Sequence, residues 1–584
     1  MRRARVLTIP TALLLVGMLC WAAVPATNTE NPSLASYMPS GAVLYLQAKD
    51  FSGLLTAWNG SAVKQHWIES TDYREFSLSR VLLRLVDAQK EFTAVSSVSS
   101  DSAFLSQAAG GESAIGIYDI GDLTFLYVTR MPSTSAMQNA LWQARGKFES
   151  RTAGGVAFYV SSDTASKRVV AFAVTPGYFL LSTREDLLAG ALERMAGTSG
   201  PSLAADEWFS RAVTAAAAPG DVRLVLNMQR TGLTPQFRSY WIQQNVSEMK
   251  HYDSAVSDLY LQGSTYREER TLLHSAAMSP TGSPAVSLAG ATEEGRQAVS
   301  DLLRLVPEDA GVYRAVANPS PTQAITFVEE TIFPPRTAPH SAQQAAPEVG
   351  LTEGITGSAV DLETHIDVPP AVATQRGNSE DALVKVFEEG RIQAALLVQS
   401  SSDDEHTAFV EFHSALVVAA ASNWSAEDVR GALASEFQQA GTTRDLGENW
   451  QEHGSGPSAY FALGGIVPEF AAVRGKYLVL ANDVGALTNV LDRMASGPSV
   501  PPAEYAAGFS HSREADNFLR LVDELDSSGE TFAASSSNAG GEPQFFSGNV
   551  ASLSRIFSDL DSESIRVWES GDATRQTVTY LWKH

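Results

Sequence analysis

The chain alternates between two hydrophobic periods. In SLSRVLLRLVDAQKEF the apolar residues Leu78, Val81, Leu82, Leu85 and Val86 recur at helical spacing, which predicts an amphipathic helix with these side chains on its packed face. DFSGLLTAWNGSAVKQHWIES, just before it, carries the same period. Further on, SAIGIYDI, LTFLYVTR, GVAFYVSS and VVAFAVTPGYFLLS are short β-branched or aromatic runs broken by Gly, Asp and Pro, the pattern of an antiparallel meander. AALLVQSS, TAFVEFHSALVVAA, SAYFALGG and KYLVLAN return to it later. Strands in groups with helices between the groups predict an α+β fold rather than a doubly wound parallel sheet.

The pattern is written twice. YMPSGAVLYLQAKD, residues 37–50, gives a proline turn and then a strand, and LVPEDAGVYRAVAN, residues 305–318, does the same, Pro39 corresponding to Pro307. GYFLLSTREDLLAGALERMAG from Gly177 is echoed by KYLVLANDVGALTNVLDRMASG from Lys476, with Leu188, Leu192, Arg194 and Met195 recurring at Leu487, Leu491, Arg493 and Met494. Phe209 and Ser210 match Phe509 and Ser510. Each half closes on a similar strand pair, from Ser257 and from Glu563. The displacement grows from 307 − 39 = 268 to about 300, and co-linear matches of this kind read as duplication. Two related α+β halves are therefore expected, at 32–285 and 295–584. The second carries a Pro/Ala/Gln-rich loop at about 333–350. Arg194 and Arg493 then read as scaffold, pairing with helix-end carbonyls.

Residues 1–26 stand apart. A cationic MRRAR, an apolar run and small residues at Val24–Ala26 read as a secretory signal peptide, with an uncleaved N-terminal anchor as the alternative. The only cysteine, Cys20, lies inside that run, so cleavage leaves no thiol for disulfides, catalysis or metal binding. Export without disulfides points to a bacterial periplasm or exterior. Net charge is −24, and loss of Arg2, Arg3 and Arg5 makes it −24 − 3 = −27, which repels nucleic acid and anionic lipid. Membrane contact is expected only through an uncleaved N-terminal segment.

Candidate chemistry is sparse. Ser61-Ala62-Val63-Lys64 has the spacing of a serine acyl-transferase tetrad, but no S-D-N or K-T-G follows, and it reads as part of an amphipathic helix. Gly508-Phe509-Ser510-His511-Ser512 resembles a nucleophile elbow without its final glycine. His406 and His413, seven apart, lack a metal signature, and Asp403-Asp404-Glu405 lacks the spacing of a calcium loop. No catalytic, cofactor-binding or metal-ligating residue is assigned, and no cofactor is expected.

PSLASYMPSGAVLYLQAKDFSGLLTAW, residues 32–58, followed by Ser61, Tyr73 and Phe76, resembles the exported bacterial family designated domain of unknown function 3352, and so does YFLLSTREDLLAGALERMAG. The resemblance implies export and brings no activity with it. The second copy departs from it, because no W-x-x-S helix follows Asn318. The expectation is a non-enzymatic envelope or secreted protein that binds a partner protein or an apolar ligand. A hydrolase with a dispersed site where the halves meet, and a structural or assembly protein of the envelope, are the alternatives.

Overall fold

A computed structural model describes residues 32–583 apart from 71–72, 75–76, 79, 165–166, 199, 234–250, 276–290, 333–381, 402–411, 440–449, 464–467, 495–499 and 518–558. The signal segment, the Pro/Ala/Gln-rich loop, His406 and Asp403–Glu405 lie outside the described residues. Helix and strand are both abundant and the strand pairs are antiparallel, an α+β fold. Two compact units divide the chain, one from residues up to 286 together with those from 522, the other from 287–521.

The first unit contains β1 (Leu44–Ala48), β2 (Ser113–Asp119), β3 (Thr124–Arg130), β4 (Glu149–Ala153), β5 (Val156–Asp163), β6 (Arg168–Thr175), β7 (Tyr178–Ser182), β8 (Val222–Asn227), β9 (Tyr252–Gln262) and β10 (Thr265–His274). The second contains β11 (Val312–Ala317), β12 (Ile392–Ser401), β13 (Phe412–Ala420), β14 (Trp450–His453), β15 (Tyr460–Leu463), β16 (Glu469–Arg474), β17 (Tyr477–Ala481) and β18 (Tyr505–Ser510). The last hairpin, β19 (Leu560–Ser570) and β20 (Ala573–Trp582), returns to the first unit.

In the first unit the strands stand in the order β4-β5-β6-β7-β3-β2-β1-β8-β9-β10-β20-β19. Side chains alternate between faces along each strand, and here both faces are covered. Ala171, Ala173 and Leu180 join a core with Leu188 and Leu192, whereas Phe172, Phe179 and Leu181 join another with Val95 and Phe104. That double burial explains why VVAFAV and YFLL read as near-continuous apolar runs.

Helices of this unit include α1 (Leu34–Tyr37), α2 (Phe51–Gly60), α3 (Ala62–Glu69), α4 (Arg80–Ser96), α5 (Ser102–Ala108), α6 (Glu185–Met195) and α7 (Glu207–Ala215). Leu188, Ala191 and Leu192 bury one face of α6 completely. Its end is closed by Gly197 at φ +82°, the left-handed cap that glycine adopts at least cost. Arg194 holds the turn by donating to the carbonyls of Gly190 and Pro201, both at 2.6 Å.

In the second unit the order is β14-β15-β16-β17-β13-β12-β11-β18, the same relative order as β4-β5-β6-β7-β3-β2-β1-β8. Further helices in chain order are α8 (Glu293–Leu303), α9 (Pro321–Ile332), α10 (Ala382–Gly390), α11 (Ala426–Gln439) and α12 (Val484–Arg493). One core packs α9, α10 and α11 through Ile325, Phe387 and Leu433, and the other packs α8 and α12 through Leu302 and Leu487. Arg493 differs from Arg194 in its partner, pairing with Glu308 at 2.9 Å rather than with backbone carbonyls.

One sequence match changes meaning in three dimensions. Phe209 lies in helix α7 and Phe509 in strand β18, so the Phe-Ser match joins unlike elements. The closing pair at 560–582, read from sequence as the end of the second half, has its hydrogen-bonded neighbour in β10 of the first unit. Strand pairing is invisible to local periodicity, because it depends on which edge is open at the end of the chain's path.

Candidate functional site

The serine-lysine tetrad is a helix cap. Ser61 precedes α3 and its hydroxyl accepts from the Lys64 amide at 3.2 Å, while Lys64 Nζ turns away to Asn59 Oδ1 at 2.6 Å. Ser61→Ala therefore removes one capping bond and is expected to cost about 1 kcal/mol. Chemical denaturation of the intact protein checks this.

Ser510 ends β18, where its amide donates to Gly311 at 2.7 Å and its hydroxyl meets Ser512 at 3.3 Å. Among the described residues the non-glycine positions with positive φ are Ser97, Leu123, Lys167, Asn318 and Arg391, so Ser510 lacks that strained backbone. Gly508 is required by packing, since a Cβ there would stand 2.2 Å from the Tyr313 ring. His413 meets Asp483 at 3.5 Å on an exposed face, and the described residues hold no cluster of three metal-ligating side chains.

A polar cleft of about 340 Å³ opens where α2, α5 and the end of β3 converge. Its floor is set by backbone bonds from the start of α2, with Phe51 and Ser52 amides donating to Gly111 and Gly110 at 3.0 and 2.9 Å. Gly110 has no room for a side chain, since a Cβ would lie 2.3 Å from the Arg130 carbonyl. Ser52, Ser106, Gln107, Ser135 and Gln138 supply neutral hydroxyl and amide groups. Arg130 also lines the cleft, but its guanidinium is held by Glu112, Tyr178 and the Pro32 carbonyl. Burial in this network, and the hydrogen bond its hydroxyl shares with Tyr178, push the Tyr37 phenol up to about 12. Asn139 Oδ1 caps Leu141 at 2.7 Å, while its Nδ2 is buried without a partner. With no carboxylate or imidazole in its lining, the cleft has hydrogen-bonding chemistry but no pair suited to general acid–base work.

Apolar exposure is concentrated between residues 68 and 105. Among the described residues ten large hydrophobic side chains are exposed, and six of them, Ile68, Leu78, Leu83, Leu85, Val86 and Leu105, fall between 68 and 105. The cause is the way α4 is held. Its second half packs through Phe92 and Val95, with Phe92 and Phe104 rings 5.5 Å apart. Polar groups hold it too, Arg84 in the first half donating to the Gly121 carbonyl at 3.4 Å and Glu91, beside Phe92, pairing with Arg168 at 2.8 Å. Leu83, Leu85 and Val86 are left facing water. Leu78, Leu85 and Val86, expected on the packed face, are 68%, 46% and 37% exposed. Periodicity identified the helix, but not how much of it finds cover. The segment 51–108 has five basic and six acidic residues, 5 − 6 = −1, in a chain of net charge −24.

In the second unit Glu469 opens β16 on the face that continues through Ala471 into the core, and only 4% of it is exposed. Its Oε2 has no hydrogen-bond partner, and burial alone raises its carboxyl to about 8.

No protein-family model and no curated protein matches this chain. Among solved structures, crystal forms I and III of TP0453 align with 14% and 13% identity. Both alignments cover 43% of this chain, and 82% and 83% of those chains, with a TM-score of 0.23 in each case. Likeness at that level defines neither fold nor function.

Proposed function

We propose that this is an exported envelope or secreted protein of bacteria, non-enzymatic and built from two related halves, that binds a partner protein through the apolar helical surface of its first unit. The observation that carries the reading is the concentration of exposed Leu, Ile and Val side chains along α3, α4 and α5. Soluble proteins rarely leave a large contiguous apolar area uncovered unless something docks there. Near-neutral charge in the same segment supports the reading, because it lets a partner approach an otherwise strongly acidic chain. The polar cleft that α5 also lines adds hydrogen-bonding groups of the kind that surround the apolar centre of an interface. The shared strand order supports duplication, and export rests on residues 1–26 and on the resemblance to domain of unknown function 3352.

Affinity capture from envelope fractions tests this, with mass spectrometry of the N-terminus in the same sample. The expected result is one species enriched by the wild type and lost with Leu83→Asp/Val86→Asp, on a chain beginning near Thr27. Equal recovery by both proteins removes the surface from the account, and a chain beginning at Met1 removes cleavage.

A further inference from the structure

The two hairpins of the first unit are related more closely than their sequences. The turn glycines Gly263 and Gly571 have φ +62° and +66° and define an offset of 571 − 263 = 308. Under that offset the internal registers coincide, Thr265 opposite Gln262 in one hairpin and Ala573 opposite Ser570 in the other. The hairpins then pair with each other, β10 against β20 and antiparallel. The centre of that ladder is Glu269 opposite Thr577, and 269 + 308 = 577. Equivalent residues thus face each other at the centre, and Thr265 opposite Leu581 is mirrored by Leu273 opposite Ala573. This is the pattern of an isologous contact, the kind formed by two copies of one strand about a two-fold axis.

We propose that β10–β20 is a self-complementary strand-pairing interface made intramolecular by duplication, and that β10, when its own β19–β20 is removed, pairs with β10 of a second copy. In that pairing Glu269 meets its own counterpart, while Glu268 stands opposite Arg270 on both sides. In the intact chain the central like-charge contact is absent, because Thr577 takes the position and donates to Glu269 at 2.9 Å. Like charges directly opposite each other destabilise a ladder, so the substitution favours the internal hairpin over a second copy. Exposed edges that pair with another chain are the general hazard that such a hairpin covers.

The proposal rests on the duplication reading but not on what binds α4, and its test reads strand pairing alone. Both arms use the chain with Cys20→Ser. In the intact chain, Glu269→Cys/Thr577→Cys is expected to oxidise to an internal disulfide in monomers. In the chain ending at Ser558, Glu269→Cys is expected to give a dimer linked at that position, and Glu269→Thr a tighter dimer than wild type by sedimentation. A truncated chain that stays monomeric, or that dimerises without linking at 269, overturns the proposal. Should truncation prevent folding, the exchange Glu269→Thr/Thr577→Glu in the intact chain decides. Thr577→Glu alone is expected to lower the melting temperature by several degrees, and the exchange to restore it. An exchange as damaging as the single change overturns the proposal.

Discussion

Replacing Glu469 by Gln is expected to stabilise the second unit by about 3 kcal/mol at pH 7 and to flatten its stability between about pH 4.5 and pH 8. The carboxyl ionises near 4.5 in the unfolded chain and near 8 when folded, and burial is the cause. Below about 4.5 both states hold the proton and the residue has no pH-dependent effect. As pH rises from there the unfolded state ionises while the folded one cannot, and stability falls until the folded carboxyl also ionises near 8. At pH 7 the unfolded state has about 2.5 pH units of this advantage, at about 1.36 kcal/mol per unit. Gln keeps the shape and removes the ionisation. Denaturant titrations of both proteins from pH 4 to 9 check it, and parallel curves for wild type and variant would show that Glu469 finds a partner in solution.

Arg223→Met is expected to destabilise the first unit by about 3–5 kcal/mol, while Arg223→Met/Asp258→Leu recovers most of the loss. Arg223 and Asp258 stand opposite each other on β8 and β9, 6% and 1% exposed. They are joined by two bonds of 2.7 and 2.8 Å, and the aspartate also accepts the Gly220 amide at 2.9 Å. Removing only the arginine leaves a buried carboxylate with one backbone donor. Removing both charges leaves little to desolvate. Melting curves of the single and double variants separate these cases, and a double variant as unstable as the single one would place the cost in lost packing instead.

The fold was legible wherever one residue's burial is decided by its near neighbours in sequence. SAIGIYDI became β2, and the run from Gly177 became β7 and α6, with Leu192 buried and Gly197 closing the helix. What depends on long-range pairing was not legible. The last hairpin joined β10 because that strand offered an edge, and the Phe-Ser match at 209 and 509 joined a helix to a strand.

The candidate site was half legible for the same reason. Apolar spacing announced α4, but exposure at Leu85 and Val86 follows from Arg84 and Glu91 holding the helix by one side. Glu469 gave only a weak signal, a single acid at the head of FAAV whose burial is fixed by the strands beside it.

The most direct test of the binding surface is site-specific photo-crosslinking in living cells. A photoreactive residue at position 83 is compared with one at position 484, which is similarly exposed, Leu83 at 49% and Val484 at 38%. The account predicts one dominant adduct from position 83, absent from position 484 and abolished by Val86→Asp. Equal labelling from both positions, or none from 83, would contradict it.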